Sequence, residues 1–258
     1  MGRGLSRLVA VAANTFRETV RERVLYNLVV FAVLMTLSGL LLGQLSIRQD
    51  EKILIDIGLA AMDVFGTLIA IFIGVGLVSK EIERRSLYPL LAKPLSREEF
   101  FLGKFVGLVF TLFVNVTAMT LGLYAVLLAT GRGIEFRLLS AVYPIFLGLV
   151  VVVAFAMLFS TVTSSVLASV CTVGVVVAGR FSDVIRNMRE VLPGAPGWLI
   201  DALYAVVPNF QNFDFKDRVA YGDAMPPDVL GWVTLYATAY CAIVLLLGLA
   251  SFRGRDFQ

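Results

Sequence analysis

The sequence contains no histidine, only two cysteines and few charged residues for its length. The lack of histidine excludes histidine-ligated metal sites, serine–histidine triads and HExxH proteases. Cys171 and Cys241 both fall within apolar runs, so we interpret them as buried thiols and not as a disulfide or a metal pair. The net charge of +3, with no basic run interleaved with aromatic residues, argues against a nucleic-acid partner.

A phosphate-binding loop of the type G-x-x-x-x-G-K-[ST] is also missing. The only Gly-Lys pair is Gly103-Lys104, which is followed by Phe105 at the start of an apolar stretch. We therefore predict that the chain does not hydrolyse ATP itself and binds no cofactor of its own.

Hydrophobic residues make up 59% of the 258 residues and charged residues only 16%. A soluble domain of this length has too little interior for so much apolar surface, which indicates a membrane protein. A helix needs about 20 apolar residues to cross a bilayer. The pattern predicts an all-α integral membrane protein, with residues 1–258 forming one transmembrane domain of six helices. Their approximate ranges are 24–47, 57–79, 101–129, two helices within 138–179, and 230–252. The cluster of hydroxyl residues at 160–165 is the expected turn between the fourth and fifth.

Residues 1–23 carry apolar side chains at helical spacing, with Arg7, Asn14, Glu18 and Arg21 largely on the other face. This pattern predicts an amphipathic helix in the membrane plane or, alternatively, one packed on a partner protein. Thirteen of the Lys and Arg residues lie in the N-terminal segment, in the central loop with the adjoining Lys104, and at the C-terminus. Because basic residues favour the cytoplasmic side, both termini are predicted to be cytoplasmic.

The central loop, residues 80–100, is dense in charge and lies between two apolar spans. Ser96 and Glu99 have the spacing of a capping box, so a new helix is expected to begin there. Gly103 and Gly107 form a small-xxx-small pair that permits close helix contact. Apolar residues at 87–92 are rimmed by charge, which fits either a protein interface or a loop folded back on its own bundle.

Three polar residues within the predicted spans are candidates for the substrate pathway: Asp63, Asn115 and Thr117. Ionisable residues inside a membrane are functional candidates by default, although Asp63 is also close enough to a predicted boundary to reach water. Asn115 and Thr117 fit hydrogen bonds between helices equally well.

The last connection, residues 181–229, is too long for a simple loop. Trp198, Tyr204 and Phe210 are candidates for an outer gate, and the alternative is a stabilising cap. Phe210, Phe213 and Phe215 alternate with polar residues, which is compatible with packing on the rim of the bundle.

The pattern E-I-E-x-x-S-L-x-x-L-L-x-x-P-L-S-R-x-x-F-x-x-G-K, from Glu81 to Lys104, resembles the loop between spans two and three of ABC-2 type permeases. These are the membrane subunits of ATP-binding-cassette exporters. The six-span layout and the stretch Leu203–Phe210 are also similar to that family. The arrangement resembles permeases of multicopper-enzyme maturation and, equally, permeases that export drugs, lipids or peptides.

The resemblance implies that this chain is a permease subunit in a prokaryotic cytoplasmic membrane. It implies a separate P-loop ATPase, with its ATP and Mg²⁺, and a second permease copy or a related chain. It also implies that the central loop contacts the ATPase. The residues expected at that contact are Glu81, Glu83, Arg84, Arg85, Leu87, Lys93 and Arg97.

Two other classes of function are alternatives to a permease. A secondary transporter or channel is disfavoured because no strong inverted repeat and few deep charges are present. An intramembrane enzyme is disfavoured by the lack of histidine and of paired membrane aspartates.

Overall fold

The computed structural model describes residues 2–19, 30–31, 33–34, 50–83, 96–131, 133, 135–184, 207–222 and 225–254. These residues form helices and connecting turns, and no strand occurs among them. We number the described α-helices along the chain and refer to the 3-10 helix Phe210–Phe213 by its range. The α-helices are α1 Gly2–Thr19, α2 Asp50–Glu83, α3 Arg97–Ala129, α4 Leu138–Val162, α5 Ser165–Arg180, α6 Lys216–Ala220 and α7 Pro227–Gly254.

Four stretches in the described part of the chain are long and apolar enough to cross a membrane: Lys52–Gly76, Glu98–Ala129, Leu138–Val162 and Pro227–Phe252. Helix α5 is apolar but has only 16 residues, which corresponds to a length of about 24 Å. Of the predicted first span, only four residues are described, and they are helical. The all-helical membrane architecture is confirmed, and the count of six spans remains a prediction.

The predicted turn between the fourth and fifth spans is confirmed. Helix α4 ends at Val162, and after two residues, Thr163 and Ser164, helix α5 begins. The helices define two ends of the bundle. The turn end contains this connection, Glu83 and Ser96, and the loop end contains Ala129, Leu138, Arg180 and Pro227.

Helix α4 lies at the centre of the bundle and packs chiefly on α2 and α7. Residues 151–157 are buried on all faces of the helix, as expected for a helix that is apolar all round. Two glycines of α2 allow α4 to approach closely, because an added Cβ at Gly66 would lie 2.6 Å from Leu149 Cδ1, and one at Gly74 would lie 2.6 Å from Ala156 Cβ.

Helix α1 packs on α3 within the same chain, at the turn end of the bundle. The contact uses the predicted glycine pair. A Cβ at Gly103 would lie 2.9 Å from Val11 Cβ, and one at Gly107 would lie 2.7 Å from the Ala12 carbonyl oxygen. The predicted close contact at Gly103 and Gly107 is confirmed, and helix α1 is the element that makes it.

Gly107→Ala is expected to destabilise the folded protein by about 2 kcal/mol, within the range measured for overpacked interiors. The new methyl group meets backbone of α1, which cannot move away without displacing the whole helix. Thermal unfolding in detergent measures the loss. Gly122→Ala is the matched control on the same helix, because its Cβ would be 3.7 Å from Phe31 Cε1, the nearest atom among the residues that the structure describes. Equal melting temperatures for the two variants would contradict the close α1–α3 contact.

Candidate functional site

Three of the candidate coupling residues are described, and they lie at the turn end of the bundle. Glu81 and Glu83 belong to the last turn of α2. The apolar stretch of this helix ends at Gly76, and Glu83 lies seven residues beyond it. This extension carries the helix about 10 Å past the apolar stretch. Arg97 is the first residue of α3. The remaining candidates lie outside the described residues: Arg84, Arg85, Leu87 and Lys93.

The start of α3 is fixed by the predicted capping box. Ser96 Oγ accepts a hydrogen bond from the Glu99 backbone N–H, and the Glu99 carboxylate accepts one from the Ser96 N–H, each at 3.1 Å. Both bonds satisfy amide groups that have no partner within the helix. The capping box therefore fixes the start of helix α3 at Arg97, just before its apolar stretch begins at Glu98.

Asp63 is the centre of a charged cluster near the loop end. The Arg180 guanidinium donates two hydrogen bonds to its carboxylate, from Nη1 to Oδ2 and from Nη2 to Oδ1, each at 2.8 Å. Lys216 Nζ donates a third bond to Oδ2 at 2.9 Å. The Asp63 side chain is 14% exposed, that of Lys216 13% and that of Arg180 35%. A bidentate arginine contact and a second cation make this a strong, geometrically specific ion pair.

The cluster joins three parts of the chain that are far apart in sequence. Asp63 belongs to α2, Arg180 is the last residue of α5, and Lys216 is the first residue of α6. Lys216 also contacts Asp214 Oδ2 at 3.2 Å. The charges therefore tie the connection before α7 to the ends of two helices in the bundle.

Lys216 stays protonated in this setting. Burial disfavours the ammonium ion, but the carboxylates of Asp63 and Asp214 more than offset that cost, so the pKa of Lys216 lies above its usual range. A raised lysine pKa means that the stabilisation is fully present below the unfolded value of about 10.4 and is lost as the pH rises through the folded value. The ion pair is therefore intact throughout the neutral range.

Residues 207–222, which we call the docked segment, pack into the loop end beside these charges. Phe210 and Phe213 of the 3-10 helix are buried in the same core as α2, α4 and α7. A Cβ at Gly179 would lie 2.3 Å from the Pro208 carbonyl oxygen and 2.5 Å from Phe210 Cδ2. The packing of these phenylalanines on the bundle, which their spacing indicated, is confirmed.

Hydrogen bonds fix the first half of the docked segment. The Asn209 backbone N–H donates to the Tyr236 hydroxyl of α7 at 2.7 Å, and Gln211 Nε2 donates to the Arg180 carbonyl oxygen at 3.0 Å. The Asn209 side chain accepts a bond from the Gln211 N–H at 2.9 Å and so caps the 3-10 helix. Non-helical backbone inside a membrane protein needs such partners, because lipid supplies none.

The level of the membrane at this end follows from the length of α4. A hydrocarbon core of about 30 Å corresponds to about 20 residues of helix, which extends from Val162 at the turn end to Tyr143. Tyr143 is exposed and hydrogen-bonds Thr234 of α7, and Trp232 near the start of α7 is 72% exposed. Exposed Tyr and Trp at one level are typical of a membrane–water interface.

Asp63 lies further from the loop end than Tyr143 does. Gly66 packs on Leu149 of α4, so Asp63, three residues before Gly66, is level with residue 146 of α4. That level is three residues, or about 5 Å, further from the loop end than Tyr143. Phe213 contacts Gly148, so the docked segment reaches a similar depth. The docked segment thus enters the bundle from the loop end.

A small cavity lies directly beneath the cluster. Asp63, Arg180 and Asp214 line its polar side, and Val152 and Val176 contribute to its apolar side. Phe210 and Phe213 also line it. The docked segment and the charged cluster therefore cover this cavity.

The other two candidate pathway residues face different surroundings. Asn115 is 1% exposed, and neither its amide nitrogen nor its amide oxygen has a hydrogen-bond partner among the described residues. Thr117 is exposed and donates to the carbonyl oxygen of Phe113 in its own helix at 2.7 Å. Neither residue lines the cavity beneath Asp63.

Among the candidate gate residues, Phe210 lies in the docked segment, whereas Trp198 and Tyr204 lie outside the described residues. Sequence reasoning did not identify Arg180 and Lys216 as site residues. The available signal was Asp63 itself, because a carboxylate in an apolar span needs a counter-charge. Five basic residues between 180 and 218 were eligible, and nothing in the sequence selects two of them.

The fold and this site define a multi-pass helical membrane protein with a charged connection at one end and a docked segment at the other. A family model described as "ABC-2 family transporter protein" matches residues 9–182, which is more than half of the chain. The chain belongs to the ABC-2 transporter family, whose permeases are membrane transport components that work with an ATPase subunit and are not the ATPase themselves. The match covers α1 to α5 and identifies no branch of the family. A search of curated proteins found no match.

Proposed function

We propose that this chain is the permease subunit of an ABC exporter, which lines the translocation pathway and is driven by ATP hydrolysis in a separate subunit. The observation that carries the proposal is the family match over residues 9–182, because it includes the central loop and both helices that flank it. ATP and Mg²⁺ are bound by the partner ATPase. A second permease chain, identical or related, completes the pathway.

The two ends of the bundle have different roles in this proposal. The turn end is cytoplasmic and receives the ATPase, and the loop end is extracytoplasmic. Basic residues concentrated in the N-terminal segment, the central loop and the C-terminus support this orientation. The membrane is the cytoplasmic membrane of a prokaryote.

Helices α2 and α3 provide the mechanical connection in the proposed coupling. Helix α2 continues past its apolar stretch to Glu83, and α3 begins at a capped residue, Ser96. A push on the loop between them is passed along two helices of 34 and 33 residues, which are stiff elements. Asp63 lies on the first of these helices, so the proposed coupling site and the charged cluster share one rigid element.

Charge reversal in the coupling region is expected to weaken ATPase binding. Glu81→Lys combined with Arg84→Glu should reduce co-purification of the ATPase about tenfold, which corresponds to about 1.4 kcal/mol. The reason is that like charges then face each other across the contact. The measurement is affinity purification of the tagged permease in mild detergent, with quantitative mass spectrometry of a stoichiometric P-loop ATPase.

Asp228→Lys is the control, because Asp228 is an exposed acid in the first turn of α7 at the loop end. It should leave the bound ATPase unchanged. Full ATPase recovery and unchanged ATP-dependent transport in the double variant would contradict the assigned contact. A wild-type protein without any ATPase, before and after crosslinking in cells, would contradict the proposed function and lead to a test of gradient-driven transport.

A further inference from the structure

We propose that Asp63, Arg180 and Lys216 form a latch that holds the docked segment over the outer end of the translocation pathway, and that Lys216 is the part of the latch that releases. This inference rests on the proposed function, because that function makes the loop end the exit. It assigns gating roles to Arg180 and Lys216.

The geometry divides the latch into a fixed and a releasable part. Asp63 belongs to the long helix α2, and Arg180 belongs to the apolar helix α5. Their two hydrogen bonds join these helices. Lys216 belongs to the docked segment, and its single bond at 2.9 Å joins that segment to Asp63. Loss of the Lys216 contact leaves the Asp63 charge paired with Arg180, so the docked segment can leave without exposing an unpaired carboxylate.

The packing of the docked segment also indicates that it is the movable cover of the cavity. The docked segment covers a cavity whose lower wall is apolar, through Val152 and Val176. Its backbone lies against Gly179, where any side chain would displace it, and it is bonded to α7 through Tyr236. The segment therefore forms one wall of the cavity between α2, α4 and α5, and irregular backbone in a membrane protein occurs where it lines a cavity.

The second half of the segment is held by Val219 and Ala220, which are buried in the core, and by polar contacts that are weaker than that of Lys216. The Met225 backbone N–H, just after the segment, is 3.4 Å from Ser140 Oγ, and Lys52 Nζ lies 5.0 Å from the centre of the Tyr221 ring. Gly222 has a positive φ of 106°, which allows the chain to turn sharply toward α7. Among the polar contacts of this half, the buried charge pair of Lys216 is the strongest. Its loss therefore shifts the equilibrium between the docked and the released segment most.

The test measures access to the cavity from the loop end. In a background of Cys171→Ser and Cys241→Ala, Val152→Cys places a thiol in the cavity wall, where Val152 is 2% exposed. The probe is a water-soluble cationic methanethiosulfonate, added to the full-length protein in liposomes. Lys216→Met should raise the rate of thiol modification about tenfold, equivalent to about 1.4 kcal/mol in the opening equilibrium.

Two controls separate release of the latch from loosening of the fold. Arg218→Met removes a charge from an exposed position two residues further along the same short helix and should leave the rate unchanged. Val153→Cys places a thiol on the neighbouring residue, which is fully buried and does not line the cavity, and it should stay unreactive in every variant. Equal rates for Lys216→Met and wild type, or faster reaction of Val153→Cys as well, would overturn the latch.

The measurement needs no ATPase, so its outcome is independent of the proposed function. An accelerated Val152→Cys reaction in Lys216→Met supports the latch even if no ATPase binds. If the ATPase binds and ATP turnover drives transport while Lys216→Met leaves access unchanged, the latch is wrong and the permease function stands.

Discussion

Asp63→Asn is expected to lower the free energy of unfolding by about 3 kcal/mol, the cost typical of removing one partner from a buried charge pair. The substitution keeps the shape of the side chain but leaves Arg180 without its carboxylate and Lys216 with only Asp214. Apolar side chains of the bundle cannot replace the lost carboxylate. Thermal unfolding of the purified protein in detergent measures the loss.

Asp56→Asn is the matched control for this prediction. Asp56 lies two turns earlier on α2 and forms no ion pair with any residue that the structure describes. Its carboxylate is near charges of both signs, Asp217 and Asp214 as well as Lys216, and their effects oppose one another. Its replacement should therefore change stability by about 0.5 kcal/mol or less. A similar loss in both variants would show that Asp63 has no special role.

A double-mutant cycle with Arg180→Gln makes the test specific to the pair. Asp63→Asn leaves the Arg180 guanidinium without its carboxylate, and Arg180→Gln leaves Asp63 with Lys216 alone. Asp63→Asn with Arg180→Gln removes both members of the pair. The double variant should therefore lose less stability than the two single losses combined, by about 1 kcal/mol or more. Additive losses would show that the two side chains do not interact.

Gly179→Ala is expected to release the docked segment from the bundle. The added methyl group would lie 2.3 Å from the Pro208 carbonyl oxygen, a backbone atom that cannot rotate away. Overpacking of this kind costs about 1–3 kcal/mol, and here the cost is relieved by movement of the docked segment. We expect faster tryptic cleavage after Lys216 and Arg218, measured by mass spectrometry of the fragments.

Gly174→Ala is the control on the same helix, because no atom lies within 4 Å of its added Cβ. It should leave the rate of cleavage unchanged. Resistance to trypsin in Gly179→Ala equal to that of Gly174→Ala would mean that the close approach at Gly179 does not hold the segment in place.

The two predictions address different contributions to the same contact. Asp63 holds the docked segment through charge, and Gly179 holds it through the absence of a side chain. If both variants expose the segment while α1 stays packed on α3, the loop end opens independently of the turn end. Such independence is what a pathway with separate inner and outer closures requires.

Local and compositional features were readable from the sequence. The capping box at Ser96 and Glu99 depends on residues three positions apart, and the structure contains both of its hydrogen bonds. The Thr163–Ser164 turn followed from hydroxyl residues in the middle of an apolar stretch too long for one span. The glycine pair at 103 and 107 indicated a close helix contact, because spacing along one helix fixes which residues share a face.

The tertiary structure alone decided which elements meet. The sequence left open whether α1 lies in the membrane plane or packs on a partner protein, and the structure packs it on α3 of its own chain at Gly103 and Gly107. It left Asp63 without a counter-ion, and the fold supplies Arg180 and Lys216 from 117 and 153 residues away. Hydrophobicity and spacing determine that helices form and which face of each is apolar. The pairing of charges across the bundle depends on how the helices and the docked segment pack together, and no local pattern encodes that.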